Sequence, residues 1–315
     1  MIKKAIIISI SGHKLTNSEV NIFKNYLPWG VILFRRNIKN FNQLKELIQS
    51  IKKITKDKKY PILIDEEGGE VSRLQNIINN KLFSQRYIGQ IYEINANVGI
   101  SIYKRYINEI CTTLNSLGIN INTVPVLDLL YPFTHNFLKN RLYSSKIKTI
   151  QLLSNICIKT YMTNKVSTVI KHMPGHGLAK FDSHKKLPII NKNINFLLKN
   201  DFKCFKNNKS LFAMTAHVLF KKIDKINCVT HSKIIINDII RKQIGYKGII
   251  ISDDISMKSL KDGLVENALK AIKAGCNLAL YCQGISKDSL KLLRKIPPID
   301  EFTKKKTSEF YNFLR

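Results

Sequence analysis

The feature that most constrains this chain is a series of eight short apolar runs, rich in isoleucine and valine, that recur along most of its length. Each run is too short for a buried helix, and apolar runs without alternation are typical of strands buried on both faces of a parallel sheet. The runs are AIIISI from Ala5, GVILF from Gly30, PILID from Pro61, INTVPVLD from Ile121, STVIKH from Ser167, LFAMTAH from Leu211, GIIISDD from Gly248 and LALYC from Leu278.

Segments with apolar residues at helical spacing separate these runs. Thr16 and Glu19 form a capping-box pattern at the start of NSEVNIFKNYL, and Gly118 stands where a C-terminal cap belongs after YINEICTTLNSL. The other helical segments are FNQLKELIQSIKKI, KTIQLLSNICIKTYM, INFLLKNDFKCFK, KIIINDIIRKQI and LVENALKAIKAG. The predicted order is therefore strand then helix, repeated eight times.

This repeat predicts the α/β class and a TIM-type (β/α)8 barrel, regular or irregular, in a chain of 315 residues. An open doubly wound sheet is disfavoured because no dinucleotide-type glycine loop follows a strand, and EEGGE lacks that spacing. No linker or low-complexity segment divides the sequence. We therefore expect residues 1–315 to form a single catalytic domain whose end, about 286–315, is a solvated helical segment.

The charge of the chain is strongly positive, with a formal net charge of +30. Such a charge is compatible with an alternative function, in which the barrel is the scaffold of a nucleic-acid-binding protein. However, the lysines are spread over nearly every segment beside abundant asparagine and isoleucine, as AT-rich codon usage produces. This distribution favours a compositional bias over a basic binding face, so no nucleic acid partner is expected.

The six cysteines are scattered without a Cys-x-x-Cys pair and are expected to be buried free thiols in a reducing compartment. The start, MIKKAIIISISGHK, imitates a signal peptide only weakly, and its short apolar run is predicted to be the first strand. No segment approaches the ~18 apolar residues that cross a bilayer. A cytoplasmic monomer with no membrane partner is expected.

Ionisable residues end five of the eight predicted strands. In a barrel the carboxyl ends of the strands meet at one mouth, where such groups perturb one another unless a ligand uses them. Two of them have a structural alternative, since Asp128 could cap a turn and His217 could be a hydrogen-bonded core histidine. The residues at these strand ends are Asp65, Asp128, Lys171 with His172, His217, and Asp253 with Asp254.

The segment KHMPGHGLAKFDSH, after the fifth strand, reads as a long, turn-rich loop. Its residues His172, His176, Asp182 and His184 could bind a metal, but the first two span a Pro-Gly pair and cannot share a helix face. An acid/base function needs only Asp182 to orient His184. With Asp253 as a fixed carboxylate, this pair would suit double displacement at an acetal carbon. No metal or cofactor is predicted.

These motifs resemble glycoside hydrolase family 3, in particular its bacterial β-N-acetylglucosaminidase branch that recycles peptidoglycan fragments. IIRKQIGYKGIIISDDIS resembles the active-site signature of the family, and KHMPGHG followed by DSH resembles the catalytic loop of the branch. IDEEGGEVSRL, GVILFRRNI and AGCNLAL also fit, so the resemblance extends from the first strand to the eighth.

The resemblance implies that Asp253 is the nucleophile, His184 the acid/base and Asp182 its orienting partner. It also implies a set of residues that hold the terminal sugar: Asp65, Arg73, Arg141, Lys171 and His172.

Three positions depart from the family pattern. Glu70 stands where the family usually has arginine, Asn140 precedes Arg141 in place of aspartate, and Asn277 replaces a common aspartate. None of them is a predicted chemical residue, so they bear on sugar specificity rather than on the reaction.

The function implied is hydrolysis, with retention, of terminal non-reducing β-linked N-acetylglucosamine through a covalent glycosyl-enzyme. The implied substrate is a fragment in which N-acetylglucosamine is joined to anhydro-muramic acid, with or without its peptide, in cell-wall recycling. A β-N-acetylglucosaminide phosphorylase that uses the same residues is the alternative enzyme.

Overall fold

The computed structural model describes residues 2–285 and 287–315, and its centre is a closed barrel of eight parallel strands. The order around the barrel is β1-β10-β9-β7-β5-β4-β3-β2, so the predicted TIM-type (β/α)8 architecture is confirmed. A separate two-stranded parallel sheet pairs β6 with β8. The strands are β1 (Lys4–Ser9), β2 (Pro28–Leu33), β3 (Ile62–Ile64), β4 (Ile121–Asn122), β5 (Ser167–Met173), β6 (Ile189–Ile190), β7 (Phe212–Thr215), β8 (Leu219–Phe220), β9 (Ile249–Asp254) and β10 (Leu278–Tyr281).

The fourth barrel strand is much shorter than its apolar run predicts. Only Ile121 and Asn122 join the ladder with β3 and β5, after which a single bridge connects Val126 to Lys171. Pro125 lies between them, and proline has no N–H with which to continue the ladder. The chain therefore leaves the sheet soon after Asn122 and forms the loop that carries part of the site.

The helices follow the predicted segments, with additions. The capping box at Thr16 and Glu19 is present, and Gly118 ends its helix with a φ of 87°. The helices are α1 (Asn17–Tyr26), α2 (Phe41–Thr55), α3 (Gln85–Ile94), α4 (Ala96–Leu117), α5 (Asn136–Lys139), α6 (Ile147–Thr163), α7 (Ile194–Lys199), α8 (Leu264–Ala274), α9 (Lys287–Lys295) and α10 (Glu301–Phe313). Among the described residues, no helix is long and apolar enough to cross a membrane.

Two predicted helices have a different form. The segment INFLLKNDFKCFK is not one helix, because α7 ends before Asn200 and a 3-10 turn, Asp201–Phe205, follows. The Asn200 amide donates to the carbonyl of Phe196, a local bond that competes with helix continuation. The segment Ile235–Gln243 has π-type hydrogen bonding.

The terminal segment is not simply a solvated helix. In α10, Thr307 and Phe310 are buried, and the Phe310 ring packs against Trp29 and Phe212. The Trp29 indole also donates to Thr307 Oγ1 at 2.9 Å. Because Trp29 and Phe212 lie at the amino ends of β2 and β7, α10 closes that end of the barrel. Residue 286, the predicted start of the terminal segment, lies outside the described residues.

Candidate active site

A cavity of about 400 Å³ opens at the carboxyl ends of the barrel strands. Every site residue predicted from the sequence lines it except Asp182, which instead contacts one of the lining residues, His184. The predicted residues in the cavity wall are Asp65, Arg73, Arg141, Lys171, His172, His184 and Asp253. The barrel thus gathers, at one mouth, side chains from β5 and β9 themselves and from the loops after β3, β4 and β5.

Lys171 is the centre of a buried ionic cluster that we define as Asp65, Glu67, Arg73, Arg141 and Lys171. Its Nζ lies 2.6 Å from Glu67 Oε1 and 3.3 Å from Asp65 Oδ1. It also donates to Thr123 Oγ1 at 2.8 Å. The Lys171 side chain is only 3% exposed, so the ammonium is removed from water and fixed by oxygen atoms on several sides.

Glu67 also holds Arg141 through a two-pronged contact. Arg141 Nε donates to Glu67 Oε2 at 2.8 Å, and its second nitrogen donates to Oε1 at 2.9 Å. Burial alone would raise the pKa of Glu67, but Arg141 and Lys171 outweigh it and lower the pKa to about 2. Glu67 is therefore ionised. The sequence prediction omitted this residue, although its position three residues after the end of β3, close to the predicted Asp65, was the available signal.

Arg73 extends the ionic cluster along the cavity wall. One of its terminal nitrogens donates to Asp65 Oδ2 at 3.2 Å, and its guanidinium lies 5.4 Å from the centre of the Phe34 ring. Burial would raise the pKa of Asp65, but Lys171 and Arg73 hold it below its usual range. The buried Arg73 Nε has no hydrogen-bond partner among the described residues, which leaves a donor for a ligand.

His172 is oriented by Asp128 rather than standing free. Its Nδ1 lies 2.7 Å from Asp128 Oδ2, and Asp128 also accepts the backbone N–H of His176 at 2.7 Å. A carboxylate beside Nδ1 favours the tautomer with the proton on Nδ1, which leaves Nε2 as a hydrogen-bond acceptor. This Nε2 lies 3.5 Å from a terminal nitrogen of Arg141. Asp128 therefore combines a turn contact with an orienting function.

His217 matches its structural alternative. The ring is fully buried, with Nδ1 2.7 Å from Thr230 Oγ1 and Nε2 3.0 Å from the backbone carbonyl of Asp254. Burial lowers its pKa, so the imidazole is neutral. We conclude that His217 is a hydrogen-bonded core histidine beneath the cavity.

The two carboxyl groups that end β9 differ in environment. Asp254 is held by Ser256, whose N–H and hydroxyl donate to it at 3.1 and 2.7 Å, and burial raises its pKa. Burial would also raise the pKa of Asp253, but it is outweighed by His217 and His172, which can carry protons in the acid range where a carboxylate titrates, and by the Asp254 N–H, which donates to Asp253 Oδ1 at 2.8 Å, so the pKa is lowered. The lowered pKa of Asp253 favours its ionised form, as a nucleophile requires.

The Asp182–His184 pair lies on the loop after β5. Asp182 Oδ1 accepts the His184 backbone N–H at 2.9 Å and lies 2.8 Å from the ring Nδ1. The His184 side chain is 62% exposed, unlike the ionic cluster. Burial would raise the pKa of Asp182, but the two hydrogen bonds from His184 outweigh it and lower the pKa. The structure therefore brings the predicted partners together, with the ring near solvent.

His176 was considered in the sequence only as a metal ligand. The residue is 1% exposed, lies in the cavity wall, and neither ring nitrogen has a partner among the described residues. Burial and the neighbouring His172 lower its pKa to about 4, so the ring is neutral near pH 7. No group of three or more metal-ligating side chains is placed to bind an ion in the described part of the chain.

The three departures from the family pattern lie apart from the chemical residues. Asn140 Nδ2 donates to Glu70 Oε1 at 3.0 Å on the exposed rim, so two departures form one contact. Asn277 lies at the opposite end of the barrel, where Oδ1 accepts from Ile250 N at 2.8 Å and from Arg241 at 2.9 Å. Asn277 therefore has a structural function.

A closed (β/α)8 barrel that brings an ionised carboxylate, a histidine–aspartate pair and a donor-rich ionic cluster to one cavity is typical of enzymes that cleave glycosidic bonds. The glycosyl hydrolase family 3 N-terminal domain matches residues 2–302 of the chain. The chain belongs to glycoside hydrolase family 3, which confirms the resemblance seen in its motifs.

Similar proteins agree with this assignment. A beta-hexosaminidase from Haemophilus influenzae is 30% identical over 304 residues, which is 93% of this chain and 85% of that protein. A beta-hexosaminidase from Bordetella avium is 27% identical over 300 residues, with the same two coverages. The solved structure of NagZ from Neisseria gonorrhoeae in complex with N-trifluoroacetyl-D-glucosamine superposes with a TM-score of 0.81, at 26% identity over 100% of this chain and 96% of that one.

Proposed function

We propose that this protein is a retaining β-N-acetylhexosaminidase that releases terminal, non-reducing β-linked N-acetylglucosamine. The observation that carries the proposal is that Asp253 and His184 line the same cavity as the ionic cluster. The beta-hexosaminidase relatives and the glucosamine-derivative complex of NagZ support the sugar class. The cluster would bind the hydroxyls and acetamido group of the sugar, with Arg73 Nε as one available donor.

The reaction would proceed by double displacement. Asp253 attacks the anomeric carbon while His184 donates a proton to the departing glycosidic oxygen, which leaves a covalent glycosyl-enzyme. The now neutral His184 then takes a proton from water as that water attacks the anomeric carbon and frees Asp253. Two inversions at one carbon give net retention.

Asp182 would serve this cycle by holding His184 at Nδ1. A carboxylate at this nitrogen fixes the tautomer and stabilises the imidazolium, so Nε2 carries the transferred proton. The part of the loop that holds Gly175 and Gly177 is buried, but its tip, with Lys180, Phe181 and His184, is exposed, so this tip would close over bound sugar and bring His184 to the glycosidic oxygen.

The substrate that we propose is N-acetylglucosamine linked to anhydro-muramic acid, with or without its peptide, as produced in cell-wall recycling. We also propose that the chain forms a single catalytic domain and acts as a monomer in the cytoplasm. Five of its six free cysteines are buried, which is consistent with a reducing compartment. Size-exclusion chromatography with light scattering tests the monomer.

The decisive assay is chromophore release from an aryl β-N-acetylglucosaminide, compared with the matching aryl β-glucoside, with and without a chelator. We expect release only from the acetamido sugar and no effect of the chelator. Early product analysis by NMR should show the β-anomer, and the fragment joined to anhydro-muramic acid should also be cleaved. Formation of a sugar 1-phosphate that depends on added phosphate would instead identify the phosphorylase alternative.

A further inference from the structure

Phe137, in α5, contacts both the ionic cluster and the Asp182–His184 pair. It lines the cavity on the loop after β4. Its ring lies 5.9 Å from the His184 ring at an interplanar angle of 89°. It also lies 6.2 Å from the His176 ring at 84°, and the Arg141 guanidinium is 5.5 Å from its centre. The Phe137 side chain thus contacts both Arg141 of the ionic cluster, on the loop after β4, and His184, on the loop after β5.

The contacts on one side of Phe137 are rigid. His176 is almost fully buried, and Arg141 is locked by the two-pronged contact with Glu67. The backbone N–H of Phe137 also donates to His135 Nδ1 at 3.3 Å. In contrast, His184 is largely exposed and its ring is held by Asp182 from within the same loop. Phe137 is therefore a half-buried ring, backed by buried partners, against which the exposed imidazole rests.

We propose that Phe137 is a positioning residue for the acid/base His184, an inference that rests on the proposed function. Asp182 restrains the imidazole at Nδ1, and the perpendicular Phe137 ring restrains the plane of the imidazole without exchanging a proton with it. Together the two contacts limit rotation of the ring while Nε2 stays available for proton transfer. Because the same ring also packs against Arg141 and His176, it fixes the position of His184 relative to the sugar site.

The test is Phe137→Ala, measured as kcat/KM on two substrates that differ in leaving group. General acid catalysis typically supplies about 10²–10⁴-fold, so a misplaced His184 should lose about 10-fold or more on N,N′-diacetylchitobiose. An activated aryl β-N-acetylglucosaminide needs little protonation and should lose far less. Phe137→Tyr, which keeps the ring, should restore the disaccharide rate.

Phe133→Ala is the matched control, because Phe133 is 47% exposed on the same loop and its ring faces Tyr131 at 5.4 Å and the Lys180 Nζ at 5.6 Å rather than the His184 ring. This variant should keep the wild-type ratio of the two rates. Equal losses on both substrates in Phe137→Ala would mean that Phe137 supports sugar binding through Arg141 only, and would overturn the proposal. If the alanine variant does not fold, Phe137→Leu replaces it in the same comparison.

A second readout does not depend on activity. In histidine-labelled protein, the His184 ring resonance, identified by its loss in His184→Ala, should move in Phe137→Ala because the neighbouring ring current is removed. It should not move in Phe133→Ala. A His184 resonance that does not move in Phe137→Ala would overturn the positioning proposal. A wild-type enzyme that releases nothing from either β-N-acetylglucosaminide would instead overturn the proposed function. In that case the NMR test would still decide whether Phe137 contacts His184.

Discussion

The ionic cluster and the Asp182–His184 pair use similar chemistry in opposite environments. Lys171 and Glu67 are 3% and 2% exposed, whereas the His184 side chain is 62% exposed. In both places a carboxylate holds a nitrogen at hydrogen-bond distance. Under the proposed function, this difference would let one barrel mouth combine a buried recognition surface with an exposed proton donor.

Burial decides how strongly each region is held. A charge removed from water becomes very unfavourable when its partner is lost, so the buried cluster is constrained to one arrangement. An exposed pair contributes little to stability and can rearrange at little cost in free energy. We therefore expect substitutions in the cluster to affect binding and stability, and substitutions in the pair to affect proton transfer.

The largest effect is expected at Asp253, which lines the same cavity as the ionic cluster and His184. Asp253→Asn removes the nucleophile and should lower kcat on an aryl β-N-acetylglucosaminide by about 10⁴-fold or more, as nucleophile losses do. Asp254→Asn is the matched control, because its carboxyl is held by Ser256, and it should retain far more activity. Thermal unfolding checks that both variants are folded. The reverse ranking would contradict the assignment of the nucleophile.

The second largest effect is expected in the Asp182–His184 pair, where substitutions should impair proton transfer rather than sugar binding. His184→Ala should lower kcat/KM for a disaccharide by about 10²–10⁴-fold but change activated aryl substrates little. Asp182→Asn should act in the same direction less severely, and the double variant should not add the two losses because they disable one unit. Equal impairment on both substrates, or activity lost in EDTA and restored by zinc, would make the mechanism wrong.

Substitution in the buried cluster should give the opposite pattern. Arg141→Ala should lower kcat/KM on both substrates alike, by a factor that corresponds to a loss of about 1–3 kcal/mol of transition-state stabilisation. The reason is that a sugar group loses its hydrogen-bond partner. It should also lower the free energy of unfolding, by less than the ~3–5 kcal/mol of a fully unpaired buried charge, since Glu67 keeps Lys171 as a partner at 2.6 Å. Adding Glu67→Gln should recover part of that stability. If Arg141→Ala binds and turns over substrate like the wild type, the sugar site has been rebuilt around Asn140.

The smallest expected effect is in the pH dependence of stability. The pKa of Glu67 falls from an ordinary 4.5 to about 2 on folding, so its contribution is present above about pH 4.5 and is lost as the pH falls towards 2. Glu67→Gln should flatten this acid limb in urea unfolding. Asp182→Asn should flatten the limb far less, because solvent screens the exposed pair on this loop, and the opposite ranking would contradict the comparison.

Much of the frame was predictable because its signals are local. The capping box at Thr16 and Glu19 and the cap at Gly118 depend on residues within a few positions of one another. The eight apolar runs predicted the barrel strands. Since parallel strands in a barrel share one carboxyl end, the positions of Asp65 and Lys171 in the cavity wall followed from the strand ends alone.

The sequence by itself determined the barrel, the family motifs and the end of the barrel at which the ionisable residues gather. The tertiary structure decided which of them touch. Glu67 and Arg141 lie 74 positions apart and Asp128 and His172 lie 44 apart, so no local pattern records their contacts. The position of the Phe137 ring against His184 and the burial of α10 likewise depend on loops and ends that meet only after the barrel closes. Periodicity is encoded by neighbours along the chain, whereas charge pairing and burial are set by neighbours in space.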